Sequence, residues 1–136
     1  MTVRTSADTE LEELLAQSDF VSLHVPLNAR TRHLIDAAAL RRMRSSAILV
    51  NTARGAVVDQ RALIDALRNG DIAGAAIDVT DPEPPPVGDP IYDTPNLLVV
   101  PHIGSATRAA RARMTELAVE NLLAGLDGRP MPHAAG

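Results

Sequence analysis

Apolar and polar positions alternate between two periods along this chain. In TELEELLAQ, Leu11, Leu14 and Leu15 fall at i, i+3 and i+4, one face of a helix, and Thr9 with Glu12 reads as a capping box. DFVSLHV is a short β-rich run ended by Pro26. DAAALRRMR opens on Asp36, a capping residue, and reads as a helix. AILVN is short and continuously apolar, the pattern of a strand buried on both faces. DQRALIDALRNG has Asp59 as N-cap, Leu63, Ala66 and Leu67 on one face, and Gly70 as its stop. AGAAIDV and LLVV predict two further buried strands, and residues 106–126 one long helix followed by a DGRPMP exit.

Strands alternating with helices in this order predict right-handed βαβ units around a parallel sheet, so the expected class is α/β, a partial Rossmann-like sheet with flanking helices. No internal repeat is visible. The proline-rich DPEPPPVGDP lies between two strands of the same pattern, which predicts a rigid loop over the domain in place of an interdomain linker.

Composition narrows the function classes. At 136 residues with 46% hydrophobic positions the chain has enough apolar material for one folded core and is not a disordered composition. Its only aromatics are Phe20 and Tyr92, so that core is aliphatic. A net charge of -4 argues against a nucleic-acid partner, and the cluster Arg41, Arg42 and Arg44 reads as a solvated helix face. The absence of cysteine excludes disulfides and thiolate metal sites, and no metal is expected. MTVRTSADTE has no apolar core of a signal peptide, and no apolar run reaches the ~20 residues of a membrane span. The expectation is a soluble cytoplasmic protein without a membrane partner.

In open parallel sheets ligands bind at the carboxyl ends of the strands. The four predicted strands end in HVP, NTARG, DVTDPEP and PHIGS, each with a polar or ionisable group. Arg54 offers a planar fork of donors for a carboxylate or carbonyl oxygen. His102 is the acid–base candidate at this edge, and Glu83 is placed to hydrogen-bond and orient its imidazole. An acid, an orienting carboxylate and an anion clamp are what reduction of a 2-keto acid requires. Singly, each residue has a plainer reading. Arg54 is then a surface turn residue, Glu83 a solvated loop acid, His102 a structural strand end and Asp78 a turn cap. His24 reads as a strand-end hydrogen-bonding residue, and His33 and His133 as surface. Joint placement at successive strand ends favours the chemical reading.

SDFVSLHVPLNARTRHLID, ILVNTARGAVVDQRALIDAL, GAAIDVTDPEP and TPNLLVVPHIGSAT together resemble the D-isomer-specific 2-hydroxyacid dehydrogenases over nearly the whole chain. DVTDPEP, PHIGSAT and the closing NLLAGLDGRPMP look most like the glyoxylate/hydroxypyruvate reductase branch. The resemblance implies Arg54 as the substrate-binding catalytic arginine, Glu83 as the partner of the histidine and His102 as proton donor and acceptor. It implies Asp78 beside the nicotinamide, Val25, Pro26, Thr52 and Ala53 lining the cofactor, and Gly104 and Ser105 completing its nicotinamide end, with Arg54 and His102 bordering it too. The cofactor is NAD or NADP, the reductase resemblance leaning to NADP, and the substrate a small 2-keto or 2-hydroxy acid. The formate dehydrogenase branch is disfavoured, because glutamine is expected there where this chain has Glu83.

The same resemblance predicts what this sequence lacks: the substrate lobe and the G-x-G-x-x-G turn that receives the pyrophosphate. Residues 1–105 then form a partial NAD(P)-binding domain, with residues 1–5 as the remnant of a preceding strand. Residues 106–136 form a helix and tail that would pack on the missing lobe. Two predictions follow from that gap. The DFVSLHV strand has a bare edge open to pairing, and the last helix has an uncovered apolar side. The chain is expected either to be the C-terminal half of such a dehydrogenase, completed as a homodimer or by a missing N-terminal half, or to be a non-catalytic remnant or interaction module.

Overall fold

The computed structural model describes Thr5 and residues 9–134. They divide into two compact units, Met1–His102 and Ile103–Gly136. The strand remnant expected over residues 1–5 lies, apart from Thr5, outside the described residues.

The first unit runs α1 (Leu11–Gln17), β1 (Phe20–Leu23), α2 (Ala37–Arg42), β2 (Ile48–Asn51), α3 (Gln60–Asn69), β3 (Gly74–Ile77) and β4 (Leu97–Val99). The strands form one parallel sheet in the order β1-β2-β3-β4. The predicted helix starts hold at two of three places. The Asp36 carboxylate accepts the N–H groups of Ala38 and Ala39, both at 2.9 Å, and Asp59 accepts that of Ala62 at 3.1 Å. α3 ends as expected at Gly70, whose φ of 75° is the left-handed turn that glycine adopts without steric cost. The capping box at Thr9 does not form. α1 starts one residue later, its N-cap is Glu10, and no side chain caps it.

Sheet register separates two faces. Val21, Leu49 and Ala75 are level with Leu97, and together with Leu23 and Ile77 they face a single aliphatic core shared with Leu15, Leu40, Leu63 and Leu67 of α1–α3. Leu40 and Leu49 have no exposed surface, and each such side chain contributes about 1.5–3 kcal/mol on burial. The other face carries Phe20 and Leu98, 69% and 61% exposed, with Ile48 and Val50 only partly covered. Burial of AILVN on both faces, expected from its apolar run, is therefore reached on one face. Successive right-handed crossovers that advance in one direction along a sheet place their helices on the same side. Among the described residues β1 pairs only with β2, which leaves the bare edge expected for this strand.

The proline-rich segment is anchored to this unit. Asp89 caps a 3-10 turn, Pro90–Asp93, through the N–H of Ile91, and the Ile91 side chain is buried in the core.

In the second unit α4 (Arg108–Leu126) is capped by Thr107, and of its residues only Ala124 is buried. Met114, Leu122 and Leu126 are exposed, the uncovered apolar surface foreseen for this helix. The tail returns to α4. Asn121 exchanges two 2.9 Å hydrogen bonds with the His133 backbone, and the His133 ring meets Glu120 at 2.6 Å. No helix of the described residues is long and apolar enough to cross a membrane.

Candidate active site at the carboxyl ends of the strands

Because the four strands run parallel, the segments that follow them leave the sheet at one edge. After β1, Ser22 Oγ and His24 Nε2 are 2.8 Å apart, so His24 is a strand-end hydrogen-bonding residue. Val25 is partly buried against the core, whereas Pro26 is exposed and its carbonyl accepts the Thr31 hydroxyl at 2.6 Å.

β2 ends in a turn held by a residue that pattern reading assigned no role. Asn51 is buried at 1% exposure. Its Nδ2 donates to the Arg54 carbonyl and its Oδ1 accepts the Ala53 N–H, both at 3.0 Å. This closes Thr52–Arg54 into a fixed turn and satisfies a polar side chain that would be costly to bury alone. A buried asparagine at the end of an apolar strand was the available signal. Arg54 itself projects from the turn, exposed, and its Nη1 donates to the carbonyl of Ala53 at 2.7 Å.

Gly55 follows, and here a backbone approach requires glycine. A Cβ at this position would overlap the Thr80 carbonyl and lie 2.7 Å from the Asp81 nitrogen. The turn after β2 is thereby packed against the loop after β3. Gly55→Ala is expected to destabilise the chain by about 2–3 kcal/mol, because backbone and not a flexible side chain must give way. For 136 residues this is roughly a 7–10 °C drop in melting temperature, read by circular dichroism. An unchanged melting temperature would mean that the two loops are not in contact in solution.

β3 delivers Asp78 and Thr80, both buried, and then Glu83. Beyond β4 the chain turns sharply at His102, whose φ of 52° lies in the left-handed region that costs a residue with a Cβ about 1–2 kcal/mol. Such strain concentrates at functional sites. The turn brings His102 Nδ1 to 2.6 Å from Glu83 Oε1, between side chains that are 49% and 40% exposed. A carboxylate only accepts, so Nδ1 carries the shared hydrogen and Nε2 is left to exchange a proton with another molecule. Glu83 Oε2 also faces the Thr80 N–H at 3.4 Å.

A cavity of about 440 Å3 opens beside this pair. Asp78, Thr80, Glu83 and His102 supply its polar groups, and Pro84, Pro85, Tyr92, Val99, Val100 and Pro101 its remaining walls. Arg54 is not among the lining residues. Gly104 and Ser105 belong to the second unit, in an exposed turn before α4.

Comparison with known proteins gives a consistent answer. Residues 2–104 match the family described as D-isomer specific 2-hydroxyacid dehydrogenase, NAD binding domain. The chain is 52% identical over 123 residues to a glyoxylate reductase of Korarchaeum cryptofilum, covering 90% of this chain and 37% of that protein. It is 49% identical over 119 residues to glyoxylate/hydroxypyruvate reductase B of Serratia proteamaculans, covering 88% of this chain and again 37% of the relative. Among solved structures, the TT0316 protein of Thermus thermophilus superposes with a TM-score of 0.89 at 56% identity, over 93% of this chain and 40% of that one.

Proposed function

The chain belongs to the D-isomer specific 2-hydroxyacid dehydrogenases, within their NAD binding domain, and from this premise we propose that it carries the acid–base part of a reductase acting on glyoxylate or hydroxypyruvate. The observation that carries the reading is the 2.6 Å His102–Glu83 pair at the rim of a cavity that also holds the Asp78 carboxylate. His102 acts as the acid. Held by Glu83 through Nδ1, it presents Nε2 to the carbonyl oxygen of the 2-keto acid and transfers a proton there, leaving a neutral imidazole with its Nδ1–H in place. In the reverse direction Nε2 accepts the proton of the 2-hydroxyl. Arg54 binds the substrate carboxylate, which requires its guanidinium to leave the Ala53 carbonyl.

The residues present fit one end of a nicotinamide cofactor. A cavity walled largely by proline and valine, with one buried carboxylate, suits a planar ring bearing an amide. When bound, the reduced nicotinamide supplies the hydride that reaches the substrate carbon. Asp78 would sit at its ring, with Val25, Pro26, Thr52 and Ala53 along that end. The chain contains no glycine-rich turn to hold the pyrophosphate, so the cofactor, NAD or NADP, is expected to bind weakly to this chain by itself. Residues 1–105 serve in this reading as the partial cofactor domain and residues 106–136 as the part that packs on a substrate lobe. The working assembly, in the cytoplasm, is a homodimer.

A second reading, a non-catalytic interaction module, is favoured by one observation: the Arg54 side chain is turned onto its own backbone and stands outside the cavity lining. Oxidation of NADH and NADPH by the purified chain, with glyoxylate and then hydroxypyruvate, separates the two. Little or no turnover is expected from the chain alone. Substrate-dependent oxidation is expected once the preceding segment of a relative is added. Silence in both arrangements would leave the interaction module standing and the reductase reading refuted.

A further inference from the structure

The loop that presents Glu83 is fastened by a group outside the cavity lining. Gln60, the first residue of α3, turns its side-chain Oε1 to the N–H of Asp81 at 3.0 Å, a bond spanning 21 positions in the chain. Asp81 adjoins Thr80, whose backbone fills the space left by the missing Cβ of Gly55 and whose N–H faces Glu83 Oε2. Glu83 Oε1 in turn meets His102 Nδ1. Gln60 and Gly55 thus grip the same peptide from one short segment, and that peptide opens the turn carrying the carboxylate. The Asp81 side chain offers no equivalent anchor, since its contact with Arg32 is a 3.8 Å pair between exposed groups. The start of α3 is itself held by Asp59 as N-cap, so the amide oxygen projects from a rigid base.

We propose that Gln60 is a positioning residue for the acid–base pair. By accepting the Asp81 N–H it sets the Thr80–Glu83 turn so that the carboxylate meets Nδ1 of His102 and leaves Nε2 as the proton-exchanging atom. The use made of the pair rests on the function proposed above, whereas the positioning can be read without turnover.

The experiment is long-range proton–nitrogen NMR of the 136-residue chain labelled with 15N-histidine, at alkaline pH so that tautomers and not charge states are compared. The chain has four histidines, and the signal lost in His102→Asn identifies the one of interest. The unsubstituted chain is expected to show His102 in the Nδ1–H form. Glu83→Ala is expected to release it to the Nε2–H form. Gln60→Met, close to the same length but without the acceptor, is expected to shift the tautomer ratio in the same direction by about three- to tenfold, the worth of one net hydrogen bond. Gln60→Glu keeps an acceptor and is expected to keep the unsubstituted pattern. The His24 and His33 signals report whether each variant is folded, and Gln60→Ala replaces Gln60→Met if the latter is not. An unchanged His102 pattern in a folded variant without the acceptor overturns the proposal, as does a Gln60→Glu chain that behaves like Gln60→Met. An unchanged pattern in Glu83→Ala overturns it too, since there would be no pair to position. Tautomer dependence on Gln60, with no turnover from the chain alone or after addition of the preceding segment of a relative, would support the positioning role while counting against the reductase reading.

Discussion

His102→Ala is expected to lower kcat for reduction of glyoxylate or hydroxypyruvate by about 10²–10⁴-fold, the usual contribution of a positioned general acid. That fall corresponds to about 2.7–5.5 kcal/mol of barrier. The expectation follows from the geometry at Nδ1. With that nitrogen engaged by Glu83 at 2.6 Å, Nε2 is the ring atom free to serve a substrate oxygen, and water in its place is neither oriented nor matched to the task. Alanine is the informative replacement. It retains a Cβ at the positive φ of residue 102 and therefore the backbone strain, so the comparison isolates the imidazole, which glycine would not do. The side chain is half exposed and the melting temperature should hardly move. Steady-state kinetics in whichever arrangement turns over, the chain alone or completed by the preceding segment of a relative, gives the answer. A variant with normal kcat would remove His102 from the chemistry.

Arg54→Ala is expected to reduce kcat/KM by about 10²–10³-fold, roughly 3–4 kcal/mol, with KM rising and kcat falling together. A guanidinium that binds the substrate carboxylate also holds the adjacent carbonyl near Nε2, so its loss harms both binding and the reacting geometry. Arg54→Lys should recover only part of the activity, because an ammonium cannot reproduce the planar two-point fork. The structure makes this a demanding test. The guanidinium now rests on the Ala53 carbonyl, so the substrate must draw it away from a 2.7 Å hydrogen bond. A rise in KM with kcat intact would limit Arg54 to ground-state binding, and no change in either would remove it from the site.

Local chemistry was legible in the sequence wherever one residue decides the outcome. Asp36, Asp59 and Gly70 mark helix ends because capping carboxylates and a left-handed stop act within one turn. The order of elements was legible too, since βαβ connections leave few topologies open. Features that depend on what packs where were not. The apolar run AILVN cannot say that all three helices lie on the same side, and Thr9 looked like a cap until the chain began its helix one residue later. The clamp by Asn51, the approach of Gly55 to Thr80 and the reach of Gln60 to Asp81 all join segments across space, with no periodic trace. Roles for Glu83 and His102 came from family likeness and strand-end placement. Their contact depends on a left-handed turn at a histidine, a conformation uncommon for any residue but glycine.

The sheet order has a consequence for where the site residues fall along the chain. Among the described residues β2, β3 and β4 each pair with the strand that precedes them in the chain. The proposed site residues come in the same order along the chain: Arg54 follows the second strand, Glu83 the third, and His102 only the fourth. A chain cut before that last strand would keep the proposed arginine and glutamate and lack the histidine to which the proposed proton transfer is assigned.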